Sequence, residues 1–476
     1  MPPANFALTR RAFLGRYAGG LGSLALAYLL AREGGARAAA TQATTADPLA
    51  PRRPHHPARA RAVICLFQHG GPSQMDLFDP KPELTRRHGQ RYPGDLEIHF
   101  HTQAGNLLAS PYRFRRCGRS GVELSELLPH TARIVDDITL VRSMTTESVD
   151  HEAALRMIHS GKTFAGRPAW GSWVLYGLGA LRQDLPAYVV LSDPGGLPVD
   201  GTTNWSSGFL PAVYQGTMFR AAGAPVANVT PPPDVPAAAR RNQLDFLDTL
   251  NAAHRRRHPD SSELAARIRQ YELAARMQTS VPEVLDLSGE TEATRRLYGL
   301  DNRQTAEYGR RCLLARRLVE RGVRFVQVFL SGQPWDTHAQ NAARLRNLCA
   351  MTDQPSAALI LDLKQRGLLD STIVLWTGEF GRLPVSQGAD GRDHNRHAFS
   401  LWLAGGGFKQ GYVHGATDEF GYRSVRDVVR VPDLHATLLH ALGLDHERLT
   451  YPHEGRDDSL TDVGVTQAEV VPALLS

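Results

Sequence analysis

The chain has 476 residues, of which 42% are hydrophobic, and a formal charge of +6. That is too long for one small core and too apolar for a disordered polymer, so one large α/β domain with insertions, or two domains, is expected. The charge does not mark a nucleic-acid binder: residues 1–38 hold five arginines and one acid, the rest is close to neutral, and no basic stripe with interleaved aromatics occurs.

The first segment reads as an address rather than as fold. It has a charged start, an apolar run of 15 residues from Tyr17 to Ala31, and small residues in ARAAATQA. The run is shorter than the roughly 20 residues a spanning helix needs. The twin arginine of TRRAFL resembles a Tat export signal. Residues 1–38 are therefore read as a Tat-type signal segment, with an uncleaved N-terminal anchor as the alternative. A periplasmic or exported destination follows, with the Tat export machinery as partner. Residues 39–60, rich in Ala, Pro, Arg and His, read as a linker, and 61–470 as the folded domain. The four cysteines form no CxxC, which excludes a zinc ribbon or a thioredoxin motif and leaves disulfide pairing open.

RAVICLF is a continuous apolar run of strand length, the kind a sheet buried on both faces contains. DITLVRSM is a second strand, HEAALRMIHSG a helix closing on Gly161, and PAYVVLSDPGG a third strand. Residues 234–322 are expected to be a helical insertion. VRFVQVFLSG is a strand, 342–366 a helix, STIVLWTGEFGR a strand and loop, AFSLWLAGGG a strand, and VPDLHATLLHALGL the last helix. Strands and helices alternate, and the strands are apolar rather than alternating. The pattern predicts a doubly wound, mostly parallel sheet flanked by helices. Ligands of such sheets bind at the carboxyl ends of the strands.

Polar clusters fall at those ends. After the first strand come His69, a GGPS turn, Asp76 and Asp79; PWDTHAQN carries Asp336 and His338, and TGEFGR carries Glu379 and Arg382. GRDHNRHAFS holds Asp393, His394 and His397 before its strand, so a loop returning across the same rim is needed to bring them in. Spacing by three turns one of His394 and His397 inward and the other toward solvent. Each cluster has a bland alternative: Asp336 as a helix N-cap, Glu379 paired with Arg382 on a surface turn, Ser148 or Asp150 as N-cap of the helix that His151 opens. Together they supply carboxylate and imidazole ligands suited to one or two divalent ions, zinc, manganese or calcium.

FQHGGPSQMDLFDPKP, PWDTHAQN, TGEFGR, GRDHNRHAFSLWLAGGG and VPDLHATLLHALGLDH, in this order over about residues 60–470, resemble the bacterial family of domain of unknown function 1501. The resemblance implies an alkaline-phosphatase-like α/β fold similar to that of sulfatases. It implies metal ligands at Asp76 (with His69 as the alternative), Asp336, His338, Glu379 and His394. Arg382, or Arg156, would balance an anionic substrate. His151 stands where sulfatases carry their nucleophile, so it is assigned as nucleophile, ligand or acid–base group, and it cannot become a formylglycine. The expected function is metal-dependent hydrolysis of a phosphate or sulfate ester, on an anionic small molecule or polysaccharide. The alternative is a non-catalytic, metal-containing envelope protein that binds sulfated or anionic polysaccharide. A cell-envelope protein partner is a further expectation.

Overall fold

A computed structural model describes residues 47–100, 103–220, 236–257 and 280–476, together with 268, 272 and 277. The chain divides into two compact units, Met1–Ala50 and Pro51–Ser476. Of the first, Asp47–Ala50 are described: a turn in which the Asp47 carboxylate accepts from the Leu49 amide at 3.0 Å. The expected signal segment lies outside the described residues. Among these, no helix is long and apolar enough to cross a membrane.

In the second unit nine strands form one sheet. They are β1 (Ala62–Phe67), β2 (Ile138–Thr145), β3 (Tyr188–Leu191), β4 (Thr217–Phe219), β5 (Phe325–Val328), β6 (Thr372–Thr377), β7 (Phe399–Ala404), β8 (Tyr412–His414) and β9 (Val429–Arg430). Their spatial order is β8-β2-β7-β6-β1-β5-β3-β4, with β9 also on β2. All run parallel except β7, which is antiparallel to both β6 and β2. The longer helices are α1 (His151–Ser160), α2 (Trp170–Leu178), α3 (Ala237–Arg257), α4 (Ala306–Glu320), α5 (Asn341–Gln365) and α6 (Val431–Ala441).

The unbroken apolar strands are explained by cover on both faces. Ile64, Leu66, Val326, Val374 and Trp376 pack with Cys312, Leu313, Ala358 and Leu359 of α4 and α5 on one side. Cys65, Phe67 and Leu375 meet Ile158, Trp170 and Leu434, from α1, α2 and α6, on the other. This is the mostly parallel α/β sandwich that the sequence pattern predicts. Within the stretch read as an insertion, α4 belongs to the core layer, and part of that stretch (258–267 in particular) lies outside the described residues. The second half of the expected linker is pinned down. The amides of His55 and His56 donate to the Gly443 carbonyl at 2.8 and 3.2 Å, and those of Arg59 and Ala60 to the Ala441 carbonyl at 2.9 Å each. All four cysteines are buried and unpaired, so no disulfide staples the fold.

The reversed strand positions the site. Because β7 runs against its neighbours, its amino end lies on the same rim as the carboxyl ends of β1, β2, β5 and β6. Asp393 and His394, which precede β7, reach that rim directly, and no returning loop is needed.

Candidate metal centre

Six of the seven residues singled out from the sequence converge, all but Asp76. Asp336 follows β5, His151 opens α1 beyond β2, Glu379 follows β6, and His394 precedes β7; His338 sits two residues past Asp336. His151 is held at the helix start because the Asp150 carboxylate caps α1, accepting from the Ala153 amide at 3.1 Å. The hub is one oxygen. Asp336 Oδ1 lies 2.9 Å from His338 Nε2, 3.2 Å from His394 Nε2, 3.4 Å from His151 Nε2 and 2.7 Å from Arg382 Nη2. The His151 approach has the length of an ion pair but not hydrogen-bond geometry.

The far side of each ring decides what the near side can be. His394 Nδ1 faces the Val149 carbonyl at 2.6 Å, His151 Nδ1 faces Glu379 Oε1 at 2.7 Å, and His338 Nδ1 bonds Gln387 Oε1. Every one of those partners is an acceptor. A neutral imidazole has one proton and one lone pair, yet each ring stands between two acceptor oxygens. With Nδ1–H donated outward, three Nε2 lone pairs point toward a carboxylate oxygen, and a cation among them removes the conflict. Carboxylate or carbonyl oxygens behind the outer nitrogen are the usual support for a metal-ligating histidine. The donor set therefore fits a divalent ion.

Among the described residues, two sets of ligand atoms lie within 4.8 Å of one another: His151, Asp336 and His394, and His338, Asp393 and His394. The single inward nitrogen of His394 can serve one ion at a time. Asp393 is also engaged elsewhere, since its Oδ2 accepts the His99 and Phe100 amides at 3.0 and 2.9 Å. The first set is accordingly the better candidate.

The charges are strongly coupled. Burial would raise the Asp336 pKa, but His151, His338, His394 and Arg382 hold it far below the carboxylate range. Burial would lower His151, but Asp336 and Glu379 outweigh it and raise the imidazole to about 9. His394 is pushed down to about 4 by burial, with Arg382 and His151 adding to it against the pull of Asp336. The Phe380 ring packs 4.5 Å from His394 and 4.8 Å from His151, fixing both planes.

Glu379 stands behind His151 rather than beside the ligand atoms. Its Oε1 accepts from the Gly70 amide at 2.8 Å, and its buried Oε2 has no partner. Gly70 has φ +108°, and a Cβ there would lie 2.3 Å from the Asp336 amide. Gly70→Ala is therefore expected to push the Asp336 loop outward and weaken metal binding at least tenfold, measured by competition with a chelating dye.

Two assignments are corrected. Asp76 is not brought to the cluster. It is fully buried, its Oδ2 accepts from Ser73 Oγ at 2.6 Å, Asn341 Nδ2 at 3.0 Å and Arg392 Nε at 2.8 Å, and its Oδ1 from Arg392 Nη2 at 3.2 Å. It belongs to neither set of clustered ligand atoms. Arg382 is equally unavailable to a substrate. It is fully buried and donates to the carbonyls of Gly71 (2.9 Å), Arg392 (3.0 Å) and Gly70 as well as to Asp336, so it ties the rim loops together. Arg156 is bound to Asp200 at 3.0 and 2.8 Å. His397 turns outward to Glu97 at 2.7 Å, as the spacing from His394 predicts.

At the end of β1, His69, the sequence alternative to Asp76, belongs to neither set of clustered ligand atoms. It is wholly buried, neither ring nitrogen has a partner, and its pKa is driven well below normal by burial, with His159 and His151 adding to the effect. Gln387 and Phe380 also support the site, and no spacing in the sequence marks them.

No curated protein matches the chain. Among solved structures it resembles the PsFucS1 sulfatase from Pseudoalteromonas sp. (11% identity over 82% of this chain and 69% of that one, TM-score 0.33). It also resembles the phosphonate monoester hydrolase SpPMH from Silicibacter pomeroyi (10%, 87% and 76%, TM-score 0.34) and an alkaline phosphatase from the Antarctic bacterium TAB5 (11%, 82% and 99%, TM-score 0.31). These likenesses are remote, and the chemistry of the site stands on its own atoms. The model of the protein family of unknown function DUF1501 matches residues 60–475, so the chain belongs to that family.

Proposed function

We propose that the protein is an exported, metal-dependent hydrolase of phosphate or sulfate esters. The observation that carries this reading is the convergence of three inward imidazole nitrogens on Asp336 Oδ1, at an open rim of the sheet, with every outer nitrogen already facing an acceptor. A divalent cation held by His151, Asp336 and His394 would supply Lewis-acid polarisation of a phosphoryl or sulfuryl oxygen. Glu379 orients His151 and draws its Nδ1 proton outward, Val149 and Gln387 do the same for His394 and His338, and Arg382 fixes the Asp336 carboxylate. His338, about a quarter exposed, is the residue of the cluster best placed to meet a substrate from solvent. Export rests on the twin arginine and apolar run of residues 1–38.

Protein loaded with zinc, manganese or calcium should hydrolyse a 4-nitrophenyl phosphate or sulfate at least a hundredfold faster than His394→Ala. Equal rates for the two proteins would remove the catalytic reading. A second reading, a metal-containing envelope protein that binds an anionic polysaccharide without turning it over, is favoured by one observation: a histidine occupies the head of α1, and the nearby Ser148 hydroxyl is held by the Asp150 amide at 3.0 Å. Stoichiometric metal and polyanion binding without turnover would select it.

A further inference from the structure

A second cleft opens on the same rim, at the other edge of the sheet. Leu191 and Phe219, the last residues of β3 and β4, are paired in register and form its floor. Leu285 and Leu314 complete an apolar wall around a cavity of about 350 Å³. That volume lies within the roughly 300–1,000 Å³ of small-molecule sites, and the outer ends of parallel strands are where such sheets bind ligands.

Three arginines line this cavity, and they differ. Arg311 is buried and already satisfied: Nη2 meets Asp193 Oδ2 at 2.6 Å, and Nη1 donates to the Phe329 carbonyl. It is a fixed part of the wall. Arg220 and Arg310 are exposed and have no ion-pair or hydrogen-bond partner among the described residues. Glu307, one turn before Arg310 on α4, is the only acid in the lining and pairs with neither. An apolar floor beneath two uncommitted guanidiniums is matched by a molecule with an apolar body and one acidic head. A guanidinium takes a sulfate, phosphate or carboxylate through two parallel hydrogen bonds.

We propose that this cleft binds an organic anion, its hydrocarbon or ring portion on Leu191, Phe219, Leu285 and Leu314 and its acidic group between Arg220 and Arg310. The site is separate from the metal cluster and does not depend on ester hydrolysis there.

The test is calorimetric titration of the full chain with hexyl sulfate, hexanol and inorganic sulfate. Hexyl sulfate is expected to bind at least tenfold more tightly than either fragment. The Arg220→Ala/Arg310→Ala double variant, which changes exposed side chains and should fold normally, is expected to lose at least tenfold in that affinity. His394→Ala should leave it unchanged. Equal affinity for hexyl sulfate and hexanol would mean apolar adsorption only and overturn the proposal. So would inorganic sulfate binding as tightly as hexyl sulfate, or affinity unmoved by the double variant. Loss of hexyl sulfate binding in His394→Ala would place the anion at the metal cluster and equally overturn it.

Discussion

Asp336→Asn is expected to lose the divalent ion on dialysis and to retain no more than about a hundredth of any ester hydrolysis. Asp336 Oδ1 is the one atom that all three inward imidazole nitrogens share, so the amide removes both the anionic ligand and the charge that gathers the rings. It also strands Arg382, whose guanidinium is wholly buried and has Asp336 as its ion-pair partner. An uncompensated buried charge costs about 3–5 kcal/mol, so the urea midpoint should fall as well. His338→Ala separates the two effects, because His338 is partly exposed and makes no contact with Arg382. Loss of its 2.9 Å contact with Asp336 Oδ1 should loosen that carboxylate as a ligand and weaken the metal, with little loss of stability. Elemental analysis of both variants after exhaustive dialysis is the measurement. Stoichiometric metal in Asp336→Asn would place the ion elsewhere.

The opposite pattern is expected at Asp76. Asp76→Asn should destabilise the fold by about 3–5 kcal/mol and leave metal content untouched, since the carboxylate is spent on Arg392 and belongs to neither set of clustered ligand atoms. Burial by itself would raise the Asp76 pKa, but Arg392, Ser73 and Asn341 outweigh it and hold the carboxyl below its ordinary range. A carboxylate with a depressed folded pKa stabilises above its unfolded pKa and loses that contribution as pH falls through the folded value. The stability gap between wild type and Asp76→Asn should therefore be full near neutrality and narrow in acid, as followed by urea titration at several pH values. A metal-depleted but equally stable Asp76→Asn would restore Asp76 as a ligand.

The two aspartates show how differently one residue type can be used a few ångströms from the same rim. Both pair with an arginine, Asp76 fully buried and Asp336 with its side chain 12% exposed. Asp336 turns one oxygen to three imidazoles, whereas Asp76 gives its oxygens to Arg392, Ser73 and Asn341. Nothing in QMDL or WDTH distinguishes them, because the difference lies in Arg392, Asn341 and Arg382, which arrive from elsewhere in the chain.

The strand and helix segments were legible in the sequence for a local reason. A strand covered on both faces is buried along its whole length and therefore mostly apolar, as AVICLF, TIVLWT and FSLWLA are, with only Thr372, Thr377 and Ser400 polar. The end of α1 at Gly161, with φ +73°, and the Asp150 cap are equally local. The short edge strands β4, β8 and β9 escaped notice because two or three residues carry no period.

The sequence by itself determined that acids and imidazoles cluster beside strand ends, since motif and strand are neighbours along the chain. Only the tertiary structure decided which of them meet. The direction of β7 put His394 on the rim, burial spent Asp76 and Arg382 on internal partners, and His69 was left buried with neither ring nitrogen bonded. Those outcomes depend on contacts between residues tens to hundreds of positions apart, where each carboxylate or guanidinium goes to whichever partner the packing leaves within hydrogen-bond reach.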